Sequence, residues 1–86
     1  MNINELIAIV KKKLKKEIVI QVLKIEDKSF LHKNHKGHRE GKFHLKLIIK
    51  SDELTKSSKI ISTKKIYSIL DLELKEYIHS IQILLN

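Results

Sequence analysis

Phe43-His44-Leu45-Lys46-Leu47-Ile48-Ile49-Lys50 is the stretch on which the fold turns. Phe43, Leu45, Leu47 and Ile49 alternate with His44, Lys46, Ile48 and Lys50. A period of two predicts a strand with one face in a core and the other mostly polar. Upstream, Ile18 to Ile25 is rich in β-branched residues and predicts a partner strand about eight residues long. Between the two strands runs a polar, cationic segment that holds both glycines, Gly37 and Gly41, so the pair is expected to be antiparallel and joined by a loop.

Outward from this pair, residues 2 to 16 predict a helix. Asn2 is placed as N-cap with Glu5 three residues on, in a capping-box-like arrangement, and Ile3, Leu6, Ile7, Val10 and Leu14 recur at helical spacing. Lys11, Lys12, Lys13, Lys15 and Lys16 crowd its end, where cations complement the carboxyl end of the helix dipole. Solvation and dipole pairing account for this run without a ligand. Downstream, Ser51 to Ser58 reads as a turn segment with Asp52, Lys56 and two capping serines. A helical stretch follows with Ile66, Ile69, Leu70, Leu74, Tyr77 and Ile78 at compatible spacing, and Asp71 is placed to split it. Ser80 to Leu85 predicts a third strand, with Ile81, Ile83 and Leu85 inward and Ser80, Gln82 and Leu84 outward. The order α-β-β-α-(α)-β predicts one α+β domain over residues 1 to 86, with a three-stranded sheet and the helices on one face in two layers.

The composition narrows the function classes. With 42% hydrophobic and 33% charged residues in 86, the chain has a globular balance. It has no cysteine, which fits a reducing compartment and removes thiolate zinc sites, self-held iron–sulfur clusters and thiol nucleophiles. No apolar run approaches the length needed to span a bilayer, and no apolar leader precedes a small-residue cleavage site, so a cytoplasmic location is expected. The net charge is +8, with +4 in residues 1 to 16 and +3 in residues 27 to 42. Such a field attracts phosphates or acidic partners. An AT-rich coding sequence, with abundant lysine, a single arginine and no proline, accounts for the charge equally well.

Asp27 to Leu45 contains four of the five histidines. A polar loop whose ends are fixed by strands is a common setting for a binding site. His32, His35 and His38 are spaced three apart and, with His44, offer imidazole ligands to zinc, copper or nickel if the loop folds round. No acidic or thiolate fourth ligand lies nearby, which favours a solvated loop over a metal site of its own. Strand alternation puts His44 on the polar sheet face or at its edge, with a structural hydrogen bond to the loop as its plain role. His79 shares parity with Ile81 and Ile83, so a buried or rim histidine satisfied by a hydrogen bond is expected.

The pattern resembles the BolA-like proteins. Asp27, Ser29, His32 and His35 match that family's Asp-x-Ser turn and the Cys or His that follows three residues after the serine. His44-Leu45 stands where a His-Phe pair opens the family's second strand. Ser51, Asp52 and Glu53 match its Ser-Asp-Glu turn, and Ile78-His79-Ser80-Ile81 resembles its Ile-His-Ala-Leu. Together these cover roughly residues 17 to 83, a distributed pattern more specific than any single short motif.

The resemblance implies a fold similar to type II KH domains and a non-enzymatic adaptor that partners a monothiol glutaredoxin. It also implies a [2Fe–2S] cluster shared with that partner and none held alone, in a chain that is a monomer when free and a heterodimer with its partner. On this reading His32, His35 and His38 are the loop candidates for the cluster, and His44, Thr63 and His79 mark the partner surface. The chain departs from the family at its central helix. Phe-x-Gly-x-Ser becomes Leu54, Lys56 and Ser58, and Arg-His-Arg becomes Ser62-Thr63-Lys64. A threonine hydroxyl is a poor iron ligand beside imidazole or thiolate. Two outcomes are then open: His35 or His38 fills the vacancy, or the complex is held by charge and surface contact. The second is expected, because a loop organises ligands less well than a helix.

Enzymatic patterns are missing. No Gly-x-Ser-x-Gly turn or phosphate-cradling glycine loop occurs, and the carboxylates are scattered beside lysines. A Gly-x-x-Gly clamp for RNA is also absent from the region between the central helices. A helix-turn-helix-like surface with Lys56, Lys59, Lys64 and Lys65 remains, which fits contacts to DNA phosphates in a transcriptional regulator or simply a solvated face.

Overall fold

The computed structural model describes residues 1–29 and 42–86. His32, His35 and His38 therefore lie outside the described residues. The element order is α1 (Ile3–Glu17), β1 (Val22–Asp27), β2 (Phe43–Lys50), α2 (Asp52–Thr55), α3 (Lys59–Ile69), α4 (Asp71–Glu76) and β3 (Ile78–Leu85). Among the described residues the sheet has three strands in the order β1-β2-β3, with β1 antiparallel and β3 parallel to β2. This is the small α+β domain expected from the alternation.

β2 has the bounds its alternation predicts, and Leu45, Leu47 and Ile49 are buried. Leu6, Val10 and Leu14 of α1 join them in one core with Ile66 of α3, Leu70 and Ile78. The opposite face carries Val22, Lys24, Lys46, Ile48, Gln82 and Leu84, all exposed or half-buried. At the start of α1, Asn2 Oδ1 accepts the Glu5 N–H at 2.8 Å and Asn2 Nδ2 donates to Glu5 Oε1 at 2.8 Å. The cap is thus reciprocal, but its return bond runs between side chains rather than to the Asn2 backbone.

The first strand starts later than its β-branched run suggests. Ile18 is extended but serves as the C-cap of α1, with its N–H on the Leu14 carbonyl, and its side chain is in the core. β2 ends at Lys50, which pairs with Val22, so a strand partner exists only from Val22 onward. The Ser51–Ser58 segment is more ordered than a turn, because it contains α2. Ser51 caps α2 by accepting the Leu54 N–H and donates its own hydroxyl to the Val19 carbonyl at 2.8 Å. Ser58 caps α3. The buried Ser62 hydroxyl donates to the Leu54 carbonyl at 2.7 Å, which locks the angle between these two helices.

The long helical stretch breaks at Leu70, next to Asp71, as its sequence suggests. It ends earlier than Ile78, which opens β3 instead. β3 therefore begins two residues before Ser80. A register shift falls at the same place: Phe43 pairs with Ile78, and His44 with Ser80, leaving His79 as an extra residue on β3. The bulge breaks the parity that would have set His79 beside Ile81 and Ile83, and His79 is exposed rather than buried or at a rim.

One ion pair ties α1 to α4. Lys13 Nζ lies 2.7 Å from Glu73 Oε2; the carboxylate is 3% exposed and the lysine 38%. Removing one partner of such a pair leaves the other desolvated without compensation. Lys13→Ala is expected to lower stability in urea unfolding by about 1–3 kcal/mol, less than for a wholly buried pair because Lys13 reaches solvent. The double variant Lys13→Met/Glu73→Leu should recover most of that loss, and a neutral Lys13→Ala would show that the pair does not hold the two helices.

Candidate functional site

Two surfaces carry the residues singled out in the sequence. The first forms where β1 ends and where β2 and β3 begin. Asp27 Oδ1 accepts the Ser29 N–H at 2.9 Å, an Asx turn that stops β1. Ser29 Oγ then accepts the His44 N–H at 3.0 Å, and the Lys28 N–H reaches the His44 carbonyl at 2.7 Å. On the other side, the Phe43 N–H bonds the Tyr77 carbonyl at 2.9 Å, and Lys42 Nζ donates to the Lys75 carbonyl at 3.2 Å. Ser29 and Lys42, the residues flanking 30–41, are thus both pinned to this end of the sheet.

His44 sits at its centre. It is 5% exposed, more buried than a residue on an open polar face or edge. Its Nδ1 is hydrogen-bonded to Ser80 Oγ at 2.6 Å, and its ring packs on that of His79 with centroids 4.9 Å apart and planes tilted by 53°. The β-bulge at His79 produces this pairing, since the extra residue turns an imidazole toward His44 while Ile78 keeps its place in the core. The result is a buried imidazole fixed by a hydroxyl, with an exposed imidazole against it.

The second surface is the outer side of α2 and α3. Lys56, Lys59 and Lys64 are exposed and form no ion pair among the described residues, whereas Lys65 Nζ lies 3.3 Å from Glu53 Oε2. Thr63, half-buried, lines a shallow cleft with Lys59, Ile60, Lys64 and Tyr67. Ile60 is 70% and Ile61 59% exposed on the same helix. The structure therefore brings His44 and His79 together and places Thr63 with the lysines.

Sequence reasoning misses Ser80 as the partner of His44, assigning it only to the outward face. The adjacency of a small hydroxyl residue to His79 is the available signal. It also misses the exposed isoleucines of α3, whose apolar character suggests core.

Among the described residues, no group of three or more His, Asp or Glu side chains is arranged to hold a metal ion. Two imidazoles suit an ion that already has other ligands, not a self-contained site. No helix among the described residues is long and apolar enough to cross a membrane.

A two-layer α+β domain with a mixed three-stranded sheet, a helix-turn-helix-like pair and histidines at one sheet end defines the class. The chain belongs to the BolA-like protein family, whose sequence profile matches residues 14–86. It is similar to the BolA domain of SufE1 from Arabidopsis thaliana, with 32% identity over 90% of this chain and 85% of that one, at a TM-score of 0.75. It is also similar to BolA1 from Arabidopsis thaliana, with 26% identity over 92% of this chain and 87% of that one, at a TM-score of 0.76. The solution structure of BolA1 from Mus musculus shares the fold, at 19% identity over 90% of this chain and 60% of that one and a TM-score of 0.71. No curated protein sequence gives a significant match.

Ser80→Ala removes the hydroxyl that meets the His44 Nδ1 in a part-buried setting, and it should lower stability by about 1 kcal/mol or less. In proton–nitrogen spectra of the rings, the His44 signals should shift and broaden while the α1 amides stay in place. Unchanged His44 signals would mean that Ser80 does not fix the ring.

Proposed function

We propose that this chain is a non-enzymatic BolA-type adaptor that partners a monothiol glutaredoxin in iron–sulfur cluster handling. The observation that carries the reading is the exposed His79 held against a buried, hydroxyl-anchored His44. An imidazole on a strand that is bonded into a sheet loses little freedom on engaging a partner, so binding keeps more of its contact energy. The [2Fe–2S] cluster is cargo in this reading. The glutaredoxin brings its cysteine and a glutathione thiolate, and this chain adds neutral imidazole, a ligand type known to replace thiolate at one iron of such clusters.

This changes the weight given to Thr63. The vacancy there is filled by neither the threonine nor a helix residue near it, because His79 is the exposed, organised imidazole among the described residues. His32 keeps its place as the loop candidate, with His35 and His38 behind it. Complex formation with the glutaredoxin, followed by visible circular dichroism of the cluster-loaded mixture, tests the reading. His79→Ala should alter the visible spectrum strongly and leave the fold intact by far-ultraviolet dichroism, while Thr63→Ala should leave it nearly unchanged. No complex with a loaded glutaredoxin would sink the adaptor reading, and an unaltered His79→Ala spectrum would remove His79 from it.

A second reading, DNA binding by a transcriptional regulator, is favoured by the lysines of the α2 and α3 surface that form no ion pair among the described residues. Phosphate contacts make affinity fall with salt, with a slope of about 0.9 per contact on duplex DNA. Replacing Lys56, Lys59 and Lys64 with Ala should flatten that slope for a duplex probe and leave sequence preference alone. Lys65→Ala should matter less, because Glu53 already holds that ammonium. An unchanged slope in the triple variant would exclude this surface.

A further inference from the structure

α3 is apolar on both sides but buries only one. Ser62 and Ile66 are in the core and Ile69 is half-buried, whereas Ile60, Ile61 and Tyr67 are exposed. A surface helix ordinarily keeps one apolar stripe for the core and turns polar residues to water. The outer side of α3 therefore has the composition of a surface that another body covers. Ile60, Thr63, Lys64 and Tyr67 stand at i, i+3, i+4 and i+7, which makes them one stripe about 10 Å long. Together with Lys59 they line a cleft of about 500 Å³.

Charge decides what fits there. Lys59 and Lys64 border the cleft, and Lys56, the C-cap of α2, stands just before α3. None of the three forms an ion pair among the described residues, and Glu53 of α2 is already held by Lys65. We propose that this cleft docks an acidic amphipathic helix of another protein. The apolar ridge of that helix covers Ile60 and Tyr67, and its Asp or Glu residues reach Lys59 and Lys64. A helix suits the stripe because its own i, i+3, i+4, i+7 ridge has the same length and period.

Other occupants fit less well. Duplex DNA brings phosphates to the lysines but leaves the isoleucines uncovered. An anionic bilayer takes side chains that project, and Ile60 and Tyr67 line a hollow instead. A second copy of this chain, at +8, sets cations against cations. The inference stands apart from the glutaredoxin reading, whose site is at His79. It shares lysines with the DNA reading and adds apolar residues that DNA does not use.

The probe is a fluorescein-labelled synthetic helix of about 15 residues, with Leu at i, i+3, i+4 and i+7 spacing and Glu on both flanks. One control holds the same residues in scrambled order, and another has Lys for every Glu. By fluorescence anisotropy the full chain should bind the first peptide and neither control, and amide shifts on titration should gather on α3. Ile60→Ser, at a position the core does not use, should weaken binding at least roughly tenfold, since it removes the burial of one large apolar side chain. Lys59→Glu/Lys64→Glu, with unchanged far-ultraviolet dichroism, should lose the Glu peptide and bind the Lys peptide, a switch that misfolding cannot produce. No binding of the Glu peptide, equal binding of the scrambled one, undiminished binding by a folded Ile60→Ser chain, or an unswitched charge-reversal variant would each overturn the proposal. Binding of phosphatidylglycerol vesicles or of a DNA duplex without binding of the peptide would overturn it too.

Discussion

The position of β2 between two strands of opposite sense sets the rest of the domain. Antiparallel β1 can reach it through a simple reversal, whereas parallel β3 demands that the chain cross back over the sheet before pairing. The crossing is made by α2, α3 and α4. It runs over the face that carries Leu45, Leu47 and Ile49, because that face is apolar along its whole length whereas the other alternates apolar side chains with lysines and Gln82. α1 packs Leu6, Val10 and Leu14 into the same layer, so one core serves every element. The sheet's other face, with Lys24, Lys46 and Gln82, gains nothing from a second helical layer.

Within that frame, legibility follows the range of the interaction. The bounds of β2 are readable because its alternation continues to both ends, and α1 because its stripe and cap lie within a few turns. Ile18 is misplaced for a non-local reason: whether an extended residue belongs to a strand depends on where its partner ends, and Lys50 pairs with Val22. α2 spans four residues, too few for any period to register. His79 is misplaced through the bulge, which is a property of two strands and their register rather than of either sequence alone. The burial of His44 follows from that same irregularity and from Ser80. The family pattern, in contrast, is spread along the chain and survives these local errors.

The lysine excess divides into groups with different roles. Lys13, Lys65 and Lys75 are matched to Glu73, Glu53 and Asp71, and the first of these pairs is set deep enough to orient helices. A buried ion pair seldom adds much net stability over an apolar pair of the same shape, but it penalises arrangements that separate it. Lys13 and Glu73 therefore act on how α1 sits over α4 more than on whether the core forms. Lys56, Lys59 and Lys64 have no such partner among the described residues, and they border exposed Ile60 and Ile61. Cations beside apolar surface suit contact with another molecule better than simple solvation does.

The bulge at His79 links the fold's geometry to its chemistry. In an unbroken β3, the alternation that places Ile81 and Ile83 toward the core would have drawn His79 toward the same layer, where an imidazole has to be satisfied internally. One extra residue lets Ile78 stay in the core and moves His79 to the surface beside His44. The backbone on either side remains bonded to β2, through Phe43 and Tyr77 before the bulge and through Asn86 and Ile49 at the far end. The exposed imidazole is consequently mounted on a rigid base. A side chain so mounted keeps its direction and has little freedom left to lose on contact with another molecule.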